Sequence, residues 1–289
     1  MLHNDKIERN ESNHEFDQFM DMLSSARVPE QRSKDEAWAE LIKNIEQGSR
    51  KKQSARTMPI RALLSIAATV LFLLGGWYSY VITRTETCTA GNGQIATFQL
   101  PDKSVVQLNA GSSIQYKIYG FMKHRHITLQ GEAFFKVKKG NEFVVQSNNS
   151  KVTVLGTSFT IYARNNRFDV KCYTGKVRVE SPSIIPVILT RGKSVKTITD
   201  SALCDTSLFD PETPVTWIHG EFYFSNESLS TVFDEMERQF DITITHPVLS
   251  NRTYTGFFNK NNIKTALDNV CLPMGIEYKM IDSKHIEIK

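Results

Sequence analysis

Residues 62–83, ALLSIAATVLFLLGGWYSYVIT, are 22 consecutive positions without a charge, bounded by Arg61 and Arg84. As a helix this stretch spans roughly 33 Å, enough to cross a hydrocarbon core of about 30 Å. Trp77, Tyr78 and Tyr80 gather at its C-terminal end, where amphipathic rings favour the membrane interface. A cleaved leader would begin the chain and end in a small-x-small site, whereas a polar segment of 61 residues comes first. No lipobox precedes Cys88, because Thr85-Glu86-Thr87 lacks the apolar and small residues it needs. The window therefore predicts one transmembrane helix.

Its flanks predict the orientation. Arg50, Lys51, Lys52, Arg56 and Arg61 precede the window with no acid among them, and beyond it Arg84 is the sole basic residue before Lys103. The positive-inside rule then puts residues 1–61 in the cytoplasm and residues 84–289 outside it. Cys88, Cys172, Cys204 and Cys271 all fall on the outer side. They allow three pairings between which the sequence does not choose, and free thiols are an equal alternative.

Whole-chain averages hide this layout. The 289 residues are 40% hydrophobic and 23% charged, with a formal net charge of +4. A mean hydropathy of −0.32 excludes a polytopic membrane protein, and the apolar fraction excludes a disordered tail. Residues 1–61 carry 11 basic and 11 acidic side chains, so nothing there points to nucleic acid. Length alone suggests about two domains.

Residues 1–61 read as two amphipathic helices. Ser12 and Glu15 make a capping box before Phe16, Phe19, Met20 and Leu23, spaced i, i+3, i+4, i+7. Val28-Pro29 interrupts the pattern. Ser33 and Glu36 make a second box before Trp38, Leu41, Ile42 and Ile45, and Gly48 is expected to end that helix. Two short helices bury two apolar stripes poorly by themselves, so they are expected to receive a partner in the helix-in-groove manner.

Within the outer domain at 84–198, residues 93 to about 198 are dense in strand signals, with alternation at Val106/Leu108, Ile127/Leu129, Val152/Val154 and Val177/Val179. Turn residues recur between them, and Gly131, Gly156 and Gly175 are expected to open or close strands. The pattern is that of an all-β sandwich or β-roll. Residues 199–216 read as a polar, Pro-containing linker. From 217 to 289 the pattern becomes βαββαββ, an α+β unit whose first helix is expected to be capped by Asn226. The fold class expected is thus multidomain: a short helical segment, one transmembrane helix, an all-β domain and an α+β domain.

Together these residues resemble the FecR family of anti-sigma factors, in the single-pass form of Bacteroidetes-type bacteria. The resemblance is carried by Leu100-Pro101-Asp102-Lys103-Ser104, Val106 through Ser112, Arg125 through Leu129 and Gly131 through Val137. It continues through Phe143-Val144-Val145, Val154 through Phe159, Gly175-Lys176-Val177 and Gly220 through Phe224. The terminal unit is similar to the secretin/TonB short N-terminal domain. Lys103 stands where the family usually has Gly, which suggests a type I turn without positive φ.

The resemblance implies a relay. The signalling domain of a TonB-dependent outer-membrane receptor would address the periplasmic part of the chain. The cytoplasmic segment would hold an extracytoplasmic-function (ECF) sigma factor, through Phe16, Phe19, Met20, Leu23, Trp38, Leu41, Ile42 and Ile45. Membrane proteases would release it from the inner membrane; Gly75-Gly76, each Gly costing about 1 kcal/mol, reads equally as a weak point in the helix for such a protease and as a packing kink.

Some FecR-like proteins are also thought to break at a Gly-Thr pair. Here Gly156-Thr157 would need a strained turn for the hydroxyl to attack the preceding carbonyl, and an ordinary tight turn is the preferred reading.

Other chemistry is thin. His124 and His126 share a strand face but lack a third ligand, and Asp234, Glu235, Glu237 and Arg238 read as a solvated helix face. No G-x-S-x-G, H-E-x-x-H, C-x-x-C or phosphate-binding loop occurs, so a cofactor is not expected and the chain should act by binding rather than as an enzyme. The alternative from another class is a membrane-anchored periplasmic binding or scaffold protein for envelope polymers.

Overall fold

The computed structural model describes residues 20–24, 33–50, 60–182, 184–198, 204–247 and 252–289. Ser12, Glu15, Phe16, Phe19, Val28-Pro29 and most of the basic run before Arg61 lie outside the described residues.

Residues 20–24 are helical, and α1 follows at Lys34–Arg50. Ser33 starts α1 as its spacing with Glu36 predicts, its Oγ accepting from the Glu36 N–H at 3.3 Å. The helix does not stop at Gly48 but runs on to Arg50. A glycine weakens a helix without removing its hydrogen bonds, so it ends one only where the chain also turns. α2 covers Ile60–Thr83, 24 residues of which none is buried. Its hydroxyls turn inward to its own backbone: Ser65 Oγ donates to the Ala62 carbonyl (2.9 Å), Thr69 Oγ1 to Ser65 (2.8 Å) and Thr83 Oγ1 to Ser79 (2.7 Å). Each of these hydroxyls is thereby satisfied without a partner outside the helix.

Only Arg84 separates α2 from β1 (Thr85–Ala90), a strand that precedes the stretch of strand signals in the sequence. There follow β2 (Ala96–Gln99), β3 (Val105–Leu108), β4 (Ser112–Lys117), β5 (Arg125–Lys136), β6 (Phe143–Ser147) and β7 (Ser150–Val154). Then come β8 (Ser158–Arg164), β9 (Arg167–Thr174), β10 (Lys176–Ser181), β11 (Ile184–Thr190), β12 (Lys193–Ile198) and β13 (Cys204–Leu208). They form two layers joined through β5. Its first half, 125–130, lies in the order β1–β4–β5–β6–β7–β10–β11, and its second half, 131–136, in the order β2–β3–β5–β8–β9–β12–β13. β5 and β6 run parallel. Ile114, Ile127, Leu129 and Val152 from the first layer share one core with Leu108, Phe135, Phe159 and Ile161 from the second.

Several local expectations are corrected. Gly131 neither opens nor closes a strand: it is the point at which β5 passes from one layer to the other, with φ +99°. A Cβ there would lie 2.5 Å from Ser112 Oγ and 2.9 Å from Ser112 Cα. Lys103 takes positive φ (66°) despite its side chain. The turn is over-determined: the Asp102 carboxylate accepts from Ser104 N (2.9 Å) and Oγ (2.7 Å) and pairs with buried Arg125 at 3.0 Å. The stretch read as a linker contains β13, which extends the second layer by pairing with β12. Its small polar residues conceal a strand that is held by its pairing with β12.

The terminal region begins with a 3₁₀ turn at Thr216–His219 and continues as β14 (Glu221–Ser228), α3 (Leu229–Phe240), β15 (Thr243–Thr245), β16 (Thr253–Asn259), α4 (Ile263–Cys271), β17 (Tyr278–Met280) and β18 (His285–Ile288). β14 pairs with β16, and β18 pairs with both β15 and β17 in a second small sheet. Trp217, Phe222, Leu229, Phe233, Met236, Phe258 and Leu267 form its core. Ser228, not Asn226, caps α3, accepting from Thr231 N at 3.2 Å. Asn226 instead sits at a register shift in β14 with φ 51°, a conformation Asn tolerates. Cys88, Cys172 and Cys271 are buried free thiols, and burial pushes Cys172 and Cys271 up to about 11.

Replacing Gly131 with Ala should lower stability by about 3 kcal/mol, through both the backbone angle and the Ser112 clash. Urea denaturation checks this. A loss below about 1 kcal/mol would mean that β5 can change layers without this glycine.

Candidate functional site

The described residues present two features. On α1, Trp38, Leu41, Ile42 and Ile45 fall on one stripe and remain exposed, Trp38 by 65%. Met20 and Leu23 are exposed in the short helical stretch before it. Phe16 and Phe19 lie outside the described residues. Asp35 and Glu36 occupy the first turn, where negative charge suits the helix dipole. A large apolar stripe open to water is a surface that gains by being covered.

The second feature lies where the terminal region packs on the outer face of the second β layer. Strand alternation places Glu132 of β5, Tyr162 of β8, and Arg167, Asp169, Lys171 and Tyr173 of β9 on that face. α3 lies against it through Glu235, which is 5% exposed. The solvated reading of that helix face fails at Glu235, because a second protein surface covers it. Asn109 Nδ2 donates to Glu132 Oε2 at 2.8 Å, and Gln239 Nε2 donates to Asn109 Oδ1 at 2.8 Å and to Glu235 Oε1 at 2.7 Å. Arg238 Nη2 donates to Glu235 Oε2 at 2.7 Å. Arg167 bridges the same seam, bonding Asp169 and the Glu227 carboxylate at 2.6 Å each. Gly93 N donates to the Arg238 carbonyl at 2.7 Å, and Lys260 Nζ to the Gly93 carbonyl at 2.6 Å.

Beside this network is a cavity of about 670 Å³ with Trp217, Phe209, Tyr173 and Tyr223 among its walls. Burial, then the neighbouring Glu235 charge, pushes the Glu132 carboxyl up to about 7, against bonding from Asn109 and attraction from Arg164 and Lys171. Burial also raises Asp169 against its Arg167 partner, lowers Lys171, and pushes Tyr162 and Tyr173 up to about 12. Sequence reasoning missed Asn109, Glu132 and Gln239. The one available signal was Arg-x-Asp-x-Lys at 167–171, charges alternating with apolar residues on a strand.

Gly156 and Thr157 link β7 to β8. Thr157 is buried and its Oγ1 donates to the Lys176 carbonyl at 3.1 Å. Neither residue has positive φ. Gly156 is needed for another reason, since a Cβ there would lie 2.7 Å from Lys139 Cα. Among the described residues no group of His, Cys, Asp and Glu could hold a metal ion.

A helix long and apolar enough to cross a membrane, followed by a mostly β region, is the layout of a single-pass protein. Residues 86–178 match the family model for FecR protein, and residues 221–288 that for the FecR C-terminal region. The chain belongs to the FecR family of anti-sigma factors. Two crystal structures of a candidate anti-sigma factor from Parabacteroides distasonis share its fold, at 24% identity and TM-score 0.65, and 25% and 0.64. Each comparison covers 71% of this chain and 98% of the other. No curated protein matches the chain in sequence.

The raised Glu132 value fixes a sign. Between the ordinary glutamate value of 4.5 and about 7, the folded chain keeps a proton that the unfolded chain releases. Unfolding free energy must therefore fall as pH rises through that window. Asp169 adds the same sign, while depressed Glu180, Asp241 and Asp282 act only below their ordinary values. Thermal melting of the full chain should rise on acidification from about pH 8 to about pH 5.5, and Glu132→Gln should flatten the slope. An unchanged slope in the variant would remove Glu132 from the account.

Proposed function

We propose that this chain is a single-pass inner-membrane anti-sigma factor, with residues 1–61 cytoplasmic and residues 84–289 periplasmic. Its N-terminal segment holds an ECF sigma factor until a loaded TonB-dependent receptor signals from the outer membrane. The observation that carries this reading is the exposed stripe of α1, set before a charge-free helix and on the same side of it as the basic run at 50–61. Family membership supplies the sigma factor as the class of partner. A sigma-factor groove that covers Trp38, Leu41 and Ile42 would gain about 1.5–3 kcal/mol per buried side chain.

On the receptor side, the terminal region is the proposed contact. β14 and β16 pair only with each other among the described strands, and their exposed Tyr223 and Phe257 rings stack at 5.6 Å. An incoming strand could extend that pair. Release would follow stepwise proteolysis by membrane proteases. Gly75-Gly76 supports a cut within the helix, since each Gly lowers helix propensity by about 1 kcal/mol.

Self-cleavage at Gly156-Thr157 is not part of the proposal. The group facing the Thr157 hydroxyl is a main-chain carbonyl, which is not a base. The purified chain should stay intact through prolonged incubation, and two fragments dividing at Thr157, lost in Thr157→Ala, would reverse that statement.

Trp38→Ala should weaken sigma-factor binding by at least about tenfold, as loss of a central aromatic anchor does. It should also raise transcription from the target promoter. Unchanged affinity together with unchanged transcription would end the assignment of this face.

A further inference from the structure

The turn that joins β4 to β5 is tied to the end of the apolar helix. Only Arg84 lies between that helix and β1, and its carbonyl accepts from the Ile118 N–H at 3.4 Å. The register agrees: Thr85 stands opposite Lys117, so β4 runs back to the level at which the chain leaves the helix. The turn then closes on itself. Phe121 N donates to the Ile118 carbonyl at 3.4 Å, and Lys123 N and His124 N donate to the Gly120 carbonyl at 2.9 and 3.0 Å. Met122 Cα is therefore within about 11 Å of Ile118 Cα.

The turn faces two ways. Phe121 is 1% exposed and anchors it, with its ring 5.1 Å from Tyr116 and 6.5 Å from Phe143. Its neighbours Ile118, Tyr119 and Met122 are exposed, Met122 by 62%. Lys117, Lys123 and His124 are exposed as well, and residues 117–124 contain no acid. Glu86, the one acid of β1, lies on the inward side of the strand with Cys88 and Ala90. β6 starts at this same end, since Phe143 stands opposite Arg125, and the loop before it carries Lys138, Lys139 and Glu142. That end is basic as well as apolar.

The apolar helix says what covers it. Its 22 uncharged residues match the hydrocarbon thickness, so Arg84 emerges in the headgroup layer, about 5–8 Å deep on each face. Trp77, Tyr78 and Tyr80 are exposed on the last turns of that helix, where rings settle at the same boundary. A turn bonded to Arg84 cannot leave that layer by more than its own size. A soluble partner would have to fit between the turn and the headgroups. Exposed apolar side chains beside lysines are what an interface with anionic lipid favours.

We propose that residues 117–124 dock on the surface of the membrane that the chain's own helix crosses, with Ile118, Tyr119 and Met122 at the acyl boundary and Lys117 and Lys123 on anionic phosphates. The inference rests on the membrane-spanning reading of Ile60–Thr83. Docking would hold the β region against the bilayer and cover the Arg84 junction.

The test uses the full chain in phosphatidylcholine nanodiscs, with and without phosphatidylglycerol. The chain carries fluorotryptophan and the substitution Tyr119→Trp, and a nitroxide sits on the lipid headgroups. The new indole resonance should broaden with the nitroxide, as that of Trp77 does, and more strongly when phosphatidylglycerol is present. Lys117→Gln with Lys123→Gln should weaken the attachment about fivefold per lysine, read as loss of that extra broadening. Broadening at Trp77 with none at position 119 overturns the proposal, leaves the membrane-spanning reading standing and opens the turn to a protein partner. No broadening at either position removes both. Broadening at position 119 that neither phosphatidylglycerol nor the lysine variant alters also overturns the proposal, because the tether alone then explains the nearness.

Discussion

Two carboxylates that meet across a seam set the terms for the region that follows the apolar helix. Glu132 belongs to the β sandwich and Glu235 to the helix lying on it. Side by side and out of water, they would repel each other strongly. Asn109 and Gln239 thread between them as donors, and Arg238 and Arg164 supply positive charge. The two hydrophobic cores are therefore joined through a polar network whose members each need the others. A network of this kind gives specificity of docking more than stability, since a single lost partner leaves a buried charge uncompensated.

Much of this fold is legible in the sequence, for identifiable reasons. The charge-free window, the alternating valines and the βαββαββ order are periodic signals of local origin. What escapes is set by tertiary partners. β1 and β13 are short strands of small polar residues, held by β4 and β12 rather than by their own apolar pattern. Lys103 holds a glycine's conformation because Asp102, Ser104 and Arg125 close the turn around it. Gly131 reads as a strand boundary until its role in carrying β5 from one layer to the other is known. Glu235 follows the pattern of an exposed helix face, and only the packed sheet makes it buried. The helical spacing of Trp38, Leu41, Ile42 and Ile45 is legible because the period of a single helix sets it.

The connection between the parts is short. Thr83 ends the apolar helix and Thr85 begins the first strand, with Arg84 alone between them. No flexible spacer separates the sheet from the helix, so a load on β1 reaches the helix through a single residue. The chain's N-terminal end presents an apolar stripe that is costly to leave in water.

The most direct measurement of the central claim is photocrosslinking in living cells, with a photoreactive residue introduced at Leu41. The account predicts one adduct whose second component is a sigma factor, formed before induction and lost after it. A stripe that crosslinks to no sigma factor in uninduced cells, in a chain shown to be membrane-inserted, would contradict it.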